Sequence, residues 1–219
     1  MKPFDKNESA ITPPLQKKYS IMYADDHVLI RQAISNYINL LKDFAVIQQC
    51  KNGLEVKQLL QQHPIPDILI TDLDMPGVNG YDIIQWVKTH FPKIKILVLT
   101  VFDTEAARQI ALNYGADGFV SKDIEMAEME KVLYSALATK ENNKPNKLFL
   151  SKKEIDFLRY LCADLPFTDI AQRLHVSTST AEKMRETLFE RFAVKTRASL
   201  ALFVLENGIV LPERLLSAN

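Results

Sequence analysis

The chain has little of what marks a disulfide scaffold, a membrane protein or a strongly basic nucleic-acid binder. Its only two cysteines, Cys50 and Cys162, sit in apolar strand or helix contexts, so buried reduced thiols are expected rather than a disulfide. No apolar run approaches ~18 residues, which excludes a membrane-spanning helix. Residues 1–18 are polar, carry prolines and lack the apolar stretch of a signal peptide; they read as the loose tail of a cytoplasmic protein. Charge of one sign is lacking too. The 27 basic and 27 acidic side chains give a formal net charge of zero, which leaves only local patches for any nucleic-acid partner. No internal repeat is visible. At 219 residues, two domains fit, each able to bury a core.

What is present is a series of short apolar runs, four of them closed by a reactive group. Tyr19–Ala24 (YSIMYA) leads into Asp25–Asp26, and Ile68–Thr71 (ILIT) into Asp72. Ile94–Leu99 (IKILVL) ends on Thr100, and Gly118–Ser121 (GFVS) on Lys122. Phe44–Gln49 (FAVIQQ) is a further strand without such a residue. Short β-branched runs bounded by charged or turn residues indicate strands buried on both faces. Amphipathic stretches alternate with them at His27–Leu41, Gly53–Gln62, Gly80–His90, Thr104–Tyr114 and Ile124–Ala138. Five β/α units predict a doubly wound parallel sheet of the flavodoxin-like (βα)5 kind. Such a sheet gathers its strand ends along one edge, where ligands bind.

Three carboxylates, a hydroxyl and an ammonium would then share one pocket. Carboxylates this close cannot all ionise cheaply, so one stays protonated or a cation neutralises them. Mg²⁺ fits, being hard, oxygen-seeking and content with one or two carboxylates plus phosphate oxygens. A carboxylate can also attack phosphorus and become an aspartyl phosphate. Asp72 is the best candidate, because it ends the central strand just before the stiff Met75-Pro76-Gly77 turn. Taken singly, each residue has a plainer reading: an Asp after a strand usually caps a helix, and Asp26 could cap one starting at His27. A phosphatase with Asp72-Leu73-Asp74 as its nucleophile motif would need a following hydroxyl and a downstream acidic pair, and both are missing.

DDHVLIRQAI at 25–34, DILITDLDMPGVNGYDII at 67–84, ILVLT at 96–100 and GADGFVSKD at 115–123 resemble the receiver domain of two-component response regulators. The form of the first and last blocks is most similar to the NarL/FixJ subfamily. The resemblance covers residues 19–138. It implies that Asp72 is the phospho-acceptor, that Asp25 and Asp26 hold Mg²⁺, and that Asp74 adds a main-chain carbonyl. It also implies that Thr100, Phe119 and Lys122 form the switch, and that a sensor histidine kinase is the partner.

A polar, proline-bearing stretch at 139–147 reads as a linker. Beyond it, 148–219 reads as a small all-α domain of four helices: Ser151–Ala163, opened by a Ser151/Glu154 capping box, Thr168–Leu174, Thr178–Phe192 and Thr196–Asn207, stopped by Gly208. A short helix, a tight turn and a longer helix make a helix-turn-helix. Residues 150–210 resemble the LuxR-type DNA-binding domain, through Glu154, Leu158, Ile170-Ala171, Leu174, Val176-Ser177, Thr180, Leu188, Val194, Arg197 and Gly208-Ile209. That resemblance implies binding to double-stranded DNA as a homodimer once phosphorylated. Candidate contacts are Thr178, Thr180, Glu182, Lys183, Arg185 and Glu186 on the reading helix, with Lys195 and Arg197 after it.

The departures from that family are specific. Asp164 and Ala193 replace glycines common at those places, Ala181 a valine and Met184 a histidine. Glu182 and Glu186 stand where many relatives carry lysine. Basic residues barely outnumber acids in this domain, so weak binding as a monomer is expected, since phosphate neutralisation normally drives affinity. A glutamate can still read cytosine N4. The alternative is a domain that binds a protein partner instead of DNA.

Overall fold

The computed structural model describes residues 18–139 and 150–210. The expected N-terminal tail and nearly all of the expected linker lie outside them. Five strands, β1 (Tyr19–Ala24), β2 (Phe44–Cys50), β3 (Ile68–Thr71), β4 (Lys95–Thr100) and β5 (Gly118–Ser121), pair in parallel in the order β2-β1-β3-β4-β5. Between them run α1 (Val28–Leu40), α2 (Gly53–Gln62), α3 (Gly80–His90) and α4 (Glu105–Asn113), and α5 (Met126–Ala138) follows β5.

Side chains alternate across a strand, and here the alternation separates two apolar layers. Ile21, Tyr23, Ile68, Ile70, Leu97 and Leu99 pack with Ile34 and Ile38 of α1 and Met129 and Leu133 of α5. Met22, Ala24, Leu69, Ile96 and Val98 face the other way, toward Val56 of α2, Ile84 of α3 and Ile110 of α4. Helices on both faces explain why β3 is buried at every residue. β2 runs one residue past the expected Gln49, because the Asp25 N–H donates to the Cys50 carbonyl (3.1 Å) and carries the ladder on. The strand order reverses between β1 and β3, so the crevice at a topological switch point lies where Asp25 and Asp72 leave the sheet. Burial pushes the Cys50 thiol up to about 12 and that of Cys162 up to about 11, as inert reduced thiols require.

The second region holds α6 (Lys152–Cys162), α7 (Phe167–Arg173), α8 (Thr178–Arg191) and α9 (Arg197–Glu206). The Ser151/Glu154 capping box is present at the start of α6. All four helices end in the same way. The residue two past each C-cap donates to the carbonyl five residues before it: Leu165 to Tyr160, Val176 to Ala171, Val194 to Phe189 and Ile209 to Val204. This closure needs a left-handed residue just after the helix. Only Gly208 (φ 61°) is a glycine; Asp164 (φ 59°), His175 (φ 53°) and Ala193 (φ 54°) hold the other three positions. The two glycine replacements read from the sequence therefore fall where glycine would be least strained.

The two regions meet through the start of α3, the loop before α4 and the end of α9. Asn79 Nδ2 donates to the Ile209 carbonyl (2.8 Å), and the Tyr81 hydroxyl to the Asn207 carbonyl (2.8 Å). The Thr104 hydroxyl donates to Asn207 Oδ1, and the Tyr114 hydroxyl to the Leu150 carbonyl. Phe102 lies so close over Gly208 that a Cβ there would meet its ring at 2.6 Å. Leu150, Ile209 and Val210 are buried in the same apolar cluster as Tyr81 and Tyr114.

Candidate functional site

At the switch-point edge of the sheet the strand ends converge as the sequence predicts. Lys122 Nζ stands 2.6 Å from Asp72 Oδ2 and 2.9 Å from Asp25 Oδ2, so one ammonium from the β5–α5 loop clamps the carboxylates that follow β1 and β3. All three side chains are nearly inaccessible, at 5 % for Lys122, 1 % for Asp72 and 0 % for Asp25. Asp72 Oδ1 accepts the Asp74 N–H at 3.2 Å, which pins the start of the Met75-Pro76-Gly77 turn. Gly80 sits so close to the Leu73 main chain that a Cβ would approach it to 2.4 Å; only glycine lets α3 start there.

Asp26 does not cap α1. The N-cap is His27, which makes no side-chain capping bond. Asp26 turns toward the pocket, where its Oδ1 lies 2.9 Å from His27 Nδ1 yet is buried without a well-formed hydrogen bond. Asp25, Asp26, His27 and Asp72 each offer an atom within 4.8 Å of the others. The three carboxylates expected to hold the cation are all in this set, joined by the His27 ring; Asp74 was expected to contribute only its main-chain carbonyl.

The electrostatics have one direction. Burial raises the Asp72 pKa above the ordinary carboxylate range; the ammonium of Lys122 opposes this and the charge of Asp25 adds to it. For Lys122, burial works against the charged form, but Asp72 and Asp25 outweigh it and the pKa rises. Three carboxylates, Asp25, Asp26 and Asp72, gather around the one ammonium of Lys122, so the pocket is short of positive charge. Its oxygen-rich donors and the orphaned Asp26 Oδ1 fit a hard divalent cation.

The expected switch residues lie on the adjoining edge. Thr100 is fully buried, and its hydroxyl oxygen receives a long hydrogen bond (3.4 Å) from the Phe102 N–H. The Phe119 ring is buried with the Arg108 guanidinium 5.0 Å over it, and Arg108 Nη1 donates to the Phe119 carbonyl (2.8 Å). Sequence reading passed over Tyr23, whose hydroxyl donates to Asp25 Oδ2, and Arg31, which donates to the Asp25 carbonyl. The Tyr23 signal was available, because residues two apart on a strand share a face.

In the helix-turn-helix, Ser177 caps α8, accepting the Thr180 N–H at 3.1 Å. Thr178, Thr180, Glu182, Lys183, Glu186 and Lys195 are exposed. Lys183 and Thr180 line a shallow groove with Glu154, Met184 and Thr187. Two expected contacts have other occupations. Arg185 lies over the rings of Phe167 (5.2 Å) and Phe189 (5.8 Å) and 3.4 Å from Glu186. Arg197 donates to the carbonyls of Leu161 (2.7 Å) and Leu165 (3.0 Å), stapling the start of α9 to the α6–α7 turn. Five guanidinium donors in a rigid fork suit that role, so Arg197, expected among the DNA contacts, also has a structural task.

Comparison with known proteins agrees with this anatomy. Residues 21–134 match the model of the response regulator receiver domain, and 148–204 that of the bacterial regulatory proteins of the luxR family. The nitrate/nitrite response regulator protein NarL of Escherichia coli K12 is 26% identical over 213 residues, covering 89% of this chain and 98% of NarL. The oxygen regulatory protein NreC of Staphylococcus epidermidis is 29% identical over 216 residues, covering 87% and 98%. The structure of the two-component response regulator RcsB–DNA complex superposes with a TM-score of 0.64 at 25% identity, covering 85% of this chain and 98% of that one. The chain belongs to the response regulator receiver family. With its LuxR-type module it is a regulator of the NarL/FixJ type, a phosphorylation-controlled DNA-binding transcription regulator and not an enzyme.

Proposed function

We propose that Asp72 is the phospho-acceptor, that a sensor histidine kinase is its donor, and that the output is binding of a homodimer to double-stranded DNA in the cytoplasm. The observation that carries the reading is the clamp of Lys122 on both Asp72 and Asp25 beside an orphaned Asp26 oxygen. A carboxylate oxygen of Asp72 attacks phosphorus, the bond to the donor's histidine nitrogen breaks, and the nitrogen leaves with the electron pair. Asp25, Asp26 and Asp72, with the Asp74 carbonyl, would hold Mg²⁺, which supplies the positive charge that the pocket lacks. Lys122 then neutralises a phosphoryl oxygen, and the Thr100 hydroxyl turns toward another.

That turn reaches the second region within a few residues. The Phe102 N–H loses its Thr100 acceptor, while the Phe102 ring rests on Gly208 and Thr104 holds Asn207. Each neutral hydrogen bond between the regions is worth about 1 kcal/mol net, so loosening one of them changes the balance of closed and open forms roughly 5-fold. α8 is already exposed in the closed form. The latch therefore acts by fixing where the C-terminal domain points, which decides whether two reading helices can meet half-sites one helical turn apart.

The test is incubation with acetyl phosphate and Mg²⁺ followed by intact-mass analysis. The parent protein gains one acid-labile phosphoryl group, and Asp72→Asn gains none; equal incorporation in the mutant places the acceptor elsewhere. A second reading, a C-terminal domain that binds protein, is favoured by the exposed Glu182 and Glu186 and by the commitment of Arg185 and Arg197 to internal partners. A gel shift at low salt, with and without phosphodonor, separates the two.

A further inference from the structure

We propose that Tyr23 is a positioning residue for the cation site, holding the Asp25 carboxylate in the orientation that the cation requires. The inference rests on the phospho-acceptor reading above. Three donors fix Asp25: the Tyr23 hydroxyl and Lys122 Nζ, both 2.9 Å from Oδ2, and the His27 N–H, 2.9 Å from Oδ1. They differ in what they can do during phosphorylation. Lys122 is shared with Asp72 at 2.6 Å, and once phosphorylated that side chain draws it away. The His27 N–H belongs to the N-cap of α1, which has no side-chain capping bond to hold it.

Tyr23 alone is both neutral and immobile. It is fully buried, its main chain is paired to β2 at Gln49 and to β3 at Ile70, and its ring packs in the layer that holds Ile34, Ile38 and Leu99. The hydroxyl is the donor of this bond, because an ionised carboxylate has only acceptor oxygens to offer. A second function is served at the same time, since a buried tyrosine hydroxyl needs a partner. The two roles are separable: a purely structural pair stabilises the protein without changing how the pocket meets a cation. Donors behind metal-binding carboxylates typically contribute 10–100-fold to affinity by orienting them.

The experiment is calorimetric titration of the full chain with MgCl₂ alone, in the parent, Tyr23→Phe, Asp25→Asn and the double variant. Phenylalanine keeps the ring and its packing, and unfolding midpoints without Mg²⁺ confirm that each variant is folded. Tyr23→Phe is expected to weaken Mg²⁺ binding about 10-fold in the parent background and less than about 2-fold in the Asp25→Asn background, because the hydroxyl acts through that carboxylate. Equal weakening in both backgrounds, or none in the first, overturns the positioning role while leaving the pocket intact. No Mg²⁺ binding by the parent overturns the cation site itself, and this inference with it.

Discussion

The receiver region and the C-terminal region spend their charged residues in opposite ways. In the receiver, Asp25, Asp72 and Lys122 are removed from water and fixed on one another, and a second, half-buried clamp joins Lys88 and Lys95 to Asp117 at 2.6 and 3.0 Å. In the C-terminal region, Glu182, Lys183, Glu186 and Lys195 stand in solvent, while Arg185 and Arg197 are bound to the fold. Buried charges in a low dielectric act strongly over short distances, as a phosphorylation switch requires. Exposed ones are screened and act collectively, as a phosphate-tracking surface requires. The same division shows in the backbone. Gly77 and Gly115 hold left-handed positions in the receiver, whereas the C-terminal helices end on Asp164, His175 and Ala193 as well as Gly208. The C-terminal domain thus carries strain that the receiver avoids.

Lys122→Ala tests the buried side most severely. Removing one partner of a buried ion pair typically costs 3–5 kcal/mol, so denaturant unfolding without Mg²⁺ should show a loss of about that size. Added Mg²⁺ should restore much of it by replacing the missing charge. Phosphate incorporation should persist in part but no longer promote dimerisation. Unchanged stability would mean that the clamp contributes little.

The latch between the regions is expected to be weaker. Gly208→Ala forces a Cβ against Phe102 and a side chain into a left-handed conformation, which costs roughly 1–2 kcal/mol from the backbone alone. Scattering without phosphodonor should show a larger radius for this variant, and DNA binding should depend less on phosphorylation. Tyr81→Phe, losing one hydrogen bond worth about 1 kcal/mol, should do the same to a smaller degree. Neither change altering the radius would show that the two regions are independent.

For the strain, Ala193→Gly should stabilise the C-terminal domain by about 1 kcal/mol, visible as a rise of a few degrees in its unfolding midpoint with the receiver unaffected. The smallest effects concern the exposed face. Lys183→Ala should lower the salt slope of DNA binding by roughly one unit if it contacts phosphate, and Glu182→Lys should raise non-specific affinity. No response from either at any salt would favour the protein-binding reading of α8.

Much of the receiver pocket was legible before the fold was known. Asp25, Asp72, Thr100 and Lys122 each follow an apolar run, and a parallel sheet has only one edge at which strand ends gather. Asp26 was harder to place, since the same residue at the same spot can cap a helix or face a pocket, and only the start of α1 at Val28 with His27 as its cap separates the two. The internal partners of Arg185 and Arg197 were hidden for a different reason. Their charge is visible in the sequence, but Phe167 beneath one and the Leu161 and Leu165 carbonyls around the other are brought there by the α6–α7 turn.

What the sequence by itself determined is therefore whatever depends on local periodicity: the strands, the helices, their order, and which strand ends carry reactive groups. Alternation and amphipathic spacing act over a few residues and leave a readable trace. What only the tertiary structure decided is whatever depends on groups distant in the chain. The Tyr81 hydroxyl meets the Asn207 carbonyl 126 positions away, and a main-chain carbonyl has no sequence signature to announce it. The left-handed ends at Asp164, His175 and Ala193 belong here as well. They run against local preference, and the favourable packing of the four helices is what holds them there.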